Sequence, residues 1–332
     1  MKQKVKNIKN TAPKKNKRSF EKKQKKERTI FLSPTVLVLA TYILLLLSKL
    51  IDLTLINREN EYYSVVILQM MVFLLPAAIW CKFSGDGYVK NLRLRIFKVN
   101  SLLLIFSAAF LMISGSLLLS FLFGGLESLS QNFSLYDTFV SRDNGTVPVR
   151  LYLLLAYAVL PAICEEFVFR GILCHEYERG GVTRSIIFSS LFFALLHFNI
   201  ANLPVYLFSG LVLAMTLYAT RSLFGAMLAH FLYNIFGLFG QPYMSTLYNI
   251  TNSTKLFMFI VGFTFIASAA IFCGEAARLY RGYLYRGHSA EYRRPLNDDV
   301  SKLKESYLEI LRAPSAIACF AVYILALIIS WL

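Results

Sequence analysis

Cysteine is scarce in this sequence and carries no pattern. The five cysteines of the 332-residue chain, Cys81, Cys164, Cys174, Cys273 and Cys319, show no CxxC spacing, so neither a thiolate zinc module nor a disulfide framework is indicated. Charge is scarce as well: Asp, Glu, Lys and Arg make up 16% of the residues, against about 25% in soluble domains. No HExxH is present, which excludes the zinc-protease helix with two histidines one turn apart. No internal repeat is visible, and that weighs against a transporter built from paired halves.

Acidic residues are the scarcer sign, 19 against 35 basic ones, for a net charge of +16. Such an excess invites a nucleic-acid reading, which weakens once the charge is located. Thirteen Lys or Arg against two Glu lie between Lys2 and Arg28, with no aromatic residue interleaved before Phe20, so no nucleic-acid partner is expected. Residues 1–29 read as a disordered cytoplasmic tail that adheres to anionic lipid, at about 1 kcal/mol per basic residue near the surface.

What is abundant is apolar sequence, at 56% of residues and a mean hydropathy of +0.54. The runs are long enough to cross a bilayer, so the chain reads as an all-α, polytopic membrane bundle of about eight or nine spans. Expected spans are Ile30 to Ile51, Tyr63 to Cys81 and Ser101 to Phe123, three N-terminal helices within residues 30–124. A core of four helices follows at residues 150–240: one entering at Arg150 and turning near His175 to Arg184, then Ser185 to Phe198, Leu203 to Ala219, and Ser222 to Phe239. Residues 256–332 add Leu256 to Cys273 and Ala313 to Leu332, separated by a polar cytoplasmic loop at 274–312. Segments Glu127 to Val149 and Gln241 to Lys255 are expected outside. Lys and Arg cluster in the loops assigned inside, among them LRLRIFK from Leu92 to Lys98, which sets the N-terminus on the cytoplasmic side of the cell membrane.

The stretch PAICEEFVFRGIL, Pro161 to Leu173, breaks the apolar pattern with Glu165, Glu166 and Arg170. A charged side chain at mid-membrane costs roughly 2.5 to 3.5 kcal/mol on insertion scales, which makes this a functional-site candidate. Glu166 and Arg170 are four residues apart and share a helical face as an ion pair, whereas Glu165 is turned about 100° away and has no partner in its own segment. Cys164 beside it reads as a small apolar filler. Of the four histidines, His175 and His288 read as surface groups. His197 closes FSSLFFALLHF, and His230 is followed one helical turn later by Asn234.

With a rise of about 1.5 Å per residue from the nearest cytoplasmic boundary, Glu165, His197 and His230 lie about 15, 20 and 14 Å deep, which lets them converge. A desolvated carboxylate beside two imidazoles is suited to activating water, with a histidine to orient it or to protonate a leaving group and Asn234 to donate to an oxyanion. Peptide hydrolysis by water is the natural reaction class, and it needs no Ser or Cys nucleophile. Glu165, His197 and His230 also offer the ligand types of a catalytic zinc site, so general-base and metal-bound-hydroxide chemistry both stay open.

EEFVFR, FALLH and HFLYN resemble the EExxxR, FxxxH and HxxxN motifs of the CPBP family of CAAX proteases and bacteriocin-processing enzymes, also called Abi, in its CAAX prenyl protease type 2 group. The likeness spans about Leu151 to Gly240 and implies an intramembrane endopeptidase, historically called a metalloprotease, acting on a membrane-associated peptide or protein. It assigns Glu165 to water activation, Glu166 and Arg170 to the first motif, Phe193 and His197 to the second, and His230 and Asn234 to the third, with Asn234 at the oxyanion. The competing readings are a non-enzymatic bacteriocin immunity or membrane scaffold protein, in which the same residues hold the bundle together by interhelical hydrogen bonds, and a proton-relaying transporter.

Overall fold

The structure is a computed structural model that describes residues 33–52, 66–85, 87–131, 149–285 and 300–331. The basic tail, most of the segment from Glu127 to Val149, and His288 lie outside the described residues. Within them the protein is helical: α1 Pro34–Asp52, α2 Val66–Phe83, α3 Leu102–Gln131, α4 at residues 149–177, α5 Val182–Leu196, α6 Leu203–Thr220, α7 Leu223–Phe239, α8 Gln241–Thr251, α9 Thr254–Tyr285, α10 Val300–Leu311 and α11 Pro314–Trp331.

Five helices, α2, α3, α4, α6 and α9, are long and apolar enough to cross a membrane, and the bent pairs α7–α8 and α10–α11 bring the number to seven if each is one span. The protein is a multi-pass membrane protein with an all-α bundle. The shorter apolar helices Pro34–Ser48 and Val182–Leu196 fall below the length of a span; beyond seven, an expected count of eight needs one of them to cross and a count of nine needs both. Two segments read as connections contain helix. The segment after Gln241 forms α8, and the polar stretch at 274–312 begins as the continuation of α9 to Tyr285 and ends in α10.

Three helical stretches widen into π turns, Met70–Leu74, Leu154–Val159 and Phe167–Leu173. The first two each precede a proline, Pro76 and Pro161, by two residues. A proline inside a helix cannot donate its bond and collides with the carbonyl four residues back, here Val72 and Tyr157, and a wider turn moves that carbonyl away. No proline follows the third, which lies on EEFVFR.

Apolar side chains sort into two main cores. One joins α1, α2, α4, α5 and α11 through residues such as Tyr42, Phe169, Phe192 and Tyr323; Cys164 is buried within it. The other joins α3, α6, α7 and α9 around Ile105, Met112, Leu213 and Phe272. Helices α4, α5, α6 and α7 pack against one another where the two cores meet, and the motif residues lie there.

A strap at residues 88–101 ties one end of this core. Tyr88 donates to Glu176 at 2.7 Å, Arg93 pairs with Glu178 at 2.7 Å, and Arg95 donates to the Arg221 carbonyl at 2.6 Å. Burial, with the Glu176 carboxylate beside it, pushes the Tyr88 phenol well above its ordinary pKa and keeps it a donor. Arg221 is left-handed at φ 56°, closing α6, and Ser222 caps α7 by accepting from the Gly225 amide at 3.3 Å, which makes the α6–α7 connection tight. LRLRIFK, expected along the membrane interface, is thus anchored through its arginines, while Ile96 stays 83% exposed. His175, expected on the surface, packs edge-on against Tyr88 at 5.5 Å.

Candidate active site

Glu165 and Glu166 end an α-helical stretch, Leu160–Glu166, and the third π turn begins directly after them. Such turns recur at functional sites because they aim side chains that a regular helix would place elsewhere. Glu166 and Arg170 form the expected ion pair, Nη1 to Oε1 at 2.9 Å, with both side chains fully buried. Burying one ion alone costs several kcal/mol, so the pair persists only with further partners. Arg170 has two: its Nη2 donates to the Gly210 carbonyl of α6 at 3.2 Å, and its guanidinium lies 4.2 Å above the Phe193 ring of α5, a cation–π contact.

The same Oε1 of Glu166 accepts from His230 Nδ1 at 2.9 Å, so the carboxylate joins α4 to α7. A carboxylate oxygen only accepts here, so Nδ1 carries a hydrogen, and it is Nε2 that holds the lone pair in the neutral form of the ring. Sequence spacing pairs Glu166 with Arg170; its bond to His230 across 64 residues is a tertiary fact.

His197 caps the end of α5 and is half-buried. Its Nδ1 lies 3.0 Å from the Phe193 carbonyl one turn earlier, so by the same reasoning its Nε2 holds the lone pair. Phe193 is the hub of the site. Its ring stands edge-on to His197 at 5.0 Å and to His230 at 5.9 Å, beneath Arg170 and beside Phe169 at 5.5 Å. Its expected part was structural support of the second motif, and these four contacts are what it makes.

Glu165 is partly exposed, but its Oε2 is buried without a hydrogen-bond partner among the described residues, as is Oε2 of Glu166. It interacts electrostatically with His230, Glu166, Arg170 and Tyr206. Asn234 stands one turn beyond His230 on α7, half-buried. Tyr206 and the Gly210 carbonyl, both on α6, were not legible in the motifs; no spacing rule links them to the rest.

A metal would need Glu165, His197 and His230 together. Among the described residues no three His, Cys, Asp or Glu gather closely enough to hold one.

Residues 147–236 match the family model described as Rce1-like, type II CAAX prenyl endopeptidase. The match covers a little over a quarter of the chain and coincides with the three motifs, so the resemblance to the CPBP family and its type II CAAX protease group is borne out over this segment. No curated protein and no solved structure matches the chain significantly.

Proposed function

With residues 147–236 placed in the Rce1-like group of the CPBP family, we propose that the protein is an intramembrane endopeptidase in which Glu165 activates the attacking water. The observation that carries this reading is the pairing of two unlike carboxylates: Glu166 is fully buried and binds both Arg170 and His230 through Oε1, whereas Glu165 beside it is partly exposed and makes no ion pair among the described residues. The first is a scaffold and the second a base.

In this mechanism a water between Glu165 and the scissile carbonyl gives its proton to Glu165 as its oxygen attacks the carbonyl carbon. His230, its Nδ1–H held by Glu166, orients that water through the Nε2 lone pair. Asn234 donates an N–H to the oxyanion of the tetrahedral intermediate. The C–N bond then breaks, and the proton held on Glu165 passes to the departing nitrogen, leaving a carboxylic acid and an amine. General acid–base catalysis of this kind is worth roughly 10²–10⁴-fold and a single oxyanion donor about 10²–10³-fold.

The substrate is a membrane-associated peptide or protein, and the family name makes a prenylated C-terminal CAAX peptide the first probe to use. The cytoplasmic N-terminus and the binding of anionic lipid by residues 1–29 belong to the same proposal. The deciding experiment uses the full chain in nanodiscs with internally quenched peptides, prenylated and unprenylated. Cleavage by the wild type and its loss in Glu165→Gln support the reading; undiminished cleavage by Glu165→Gln, or complete inactivity of the wild type on both peptides, ends it.

A further inference from the structure

Helix α6 carries none of the three motifs, yet it presents one aromatic face to the site. The ring of Tyr206 lies 3.8 Å from that of His197, centroid to centroid, with the planes 15° apart. This is a flat stack in van der Waals contact, unlike the edge-on approach of Phe193 to the same imidazole. A histidine at the end of a helix can turn about χ2, and a ring flip puts Cδ2 where Nδ1 was and Cε1 where Nε2 was, which breaks any hydrogen bond made at Nδ1. Two contacts oppose that motion: the Phe193 carbonyl takes the Nδ1 hydrogen, and the tyrosine face fixes the ring plane.

Tyr206 is itself held in place. The Asn202 amide donates to Asn199 Oδ1 at 3.0 Å, a side-chain turn that sets the start of α6 immediately after His197. The Tyr206 amide donates to the Asn202 carbonyl at 3.0 Å, and the Asn202 side chain interacts with the phenol. The tyrosine also interacts electrostatically with Glu165, the proposed base.

We propose that Tyr206 is a positioning residue of the site, whose ring holds the His197 imidazole in the one plane in which its Nδ1–H meets the Phe193 carbonyl. The inference rests on the hydrolytic reading for its consequence, and on the stack alone for its structural content. The aromatic face is the working part; the hydroxyl is secondary.

The test compares wild type, Tyr206→Phe and Tyr206→Leu in nanodiscs by peptide cleavage and by NMR of ¹⁵N-labelled histidine, with His197→Gln to assign the resonance. Tyr206→Phe keeps the stack and should retain close to wild-type kcat and a single Nδ1–H tautomer. Tyr206→Leu keeps bulk without the ring. Its kcat should fall about 10- to 100-fold, the order expected for misplacement of a group near the reacting atoms, with KM little changed. Its His197 signal should lose its ring-current shift, as removal of the ring alone requires, and should also show mixed tautomers, the change that a purely structural packing role does not produce. An unaltered His197 signal in Tyr206→Leu, or equal impairment by Tyr206→Phe, overturns the proposal. If the wild type cleaves neither peptide, the hydrolytic reading fails, and the NMR arm still decides whether Tyr206 sets the imidazole.

Discussion

Glu166 and His230 meet through one oxygen, Oε1 to Nδ1 at 2.9 Å, and that oxygen already holds Arg170 at 2.9 Å. A single carboxylate therefore sets both the charge balance of α4 and the tautomer of a histidine on α7. Removing its charge leaves a fully buried guanidinium uncompensated. Glu166→Gln should lower stability by about 3–5 kcal/mol, the range for breaking one partner of a buried ion pair, seen as a lower unfolding midpoint in detergent. Combining it with Arg170→Met should recover most of the stability without recovering activity, and an unchanged midpoint in the single variant contradicts the arrangement.

Asn234 and His230 lie one turn apart on α7, but their proposed tasks differ. Asn234→Ala removes a donor needed only once the oxyanion has formed, so kcat should fall about 10²–10³-fold with KM nearly constant. Steady-state kinetics on the cleaved peptide check this. A rise in KM at constant kcat would place Asn234 in substrate binding instead.

Chelation separates the two water-activation chemistries. Because Glu165, His197 and His230 do not gather as a ligand set, o-phenanthroline should leave cleavage unchanged, and elemental analysis of the active protein should find no stoichiometric zinc. Loss of activity on chelation and its return with zinc is the contrary result.

Gly210 is required by close approach. A Cβ added there would lie 3.0 Å from Ser190 Cβ and 3.1 Å from its Cα, and backbone gives way less readily than a side-chain tip. Gly210→Ala should cost about 1–3 kcal/mol as overpacking and displace the carbonyl that receives Arg170. Thermal unfolding measures the first effect and peptide cleavage the second; a fully stable, fully active Gly210→Ala removes this contact from the account.

Much of this protein is determined locally and is legible in the sequence. Long apolar runs need internally bonded backbone and so become helices, and four-residue spacing puts Glu166 and Arg170 on one face. Position relative to helix ends gives Glu165, His197 and His230 compatible expected depths. The wide turns at Leu154–Val159 and Met70–Leu74 follow from the prolines after them. Helical periodicity is silent on which faces meet, because that depends on packing angles and on which small residues let backbones approach. Tertiary structure alone therefore decided that Glu166 binds His230, that Gly210 offers its carbonyl to Arg170, and that Tyr206 covers His197. The charged cluster of α4 was visible as a cost; its partners, drawn from α5, α6 and α7, show how that cost is met.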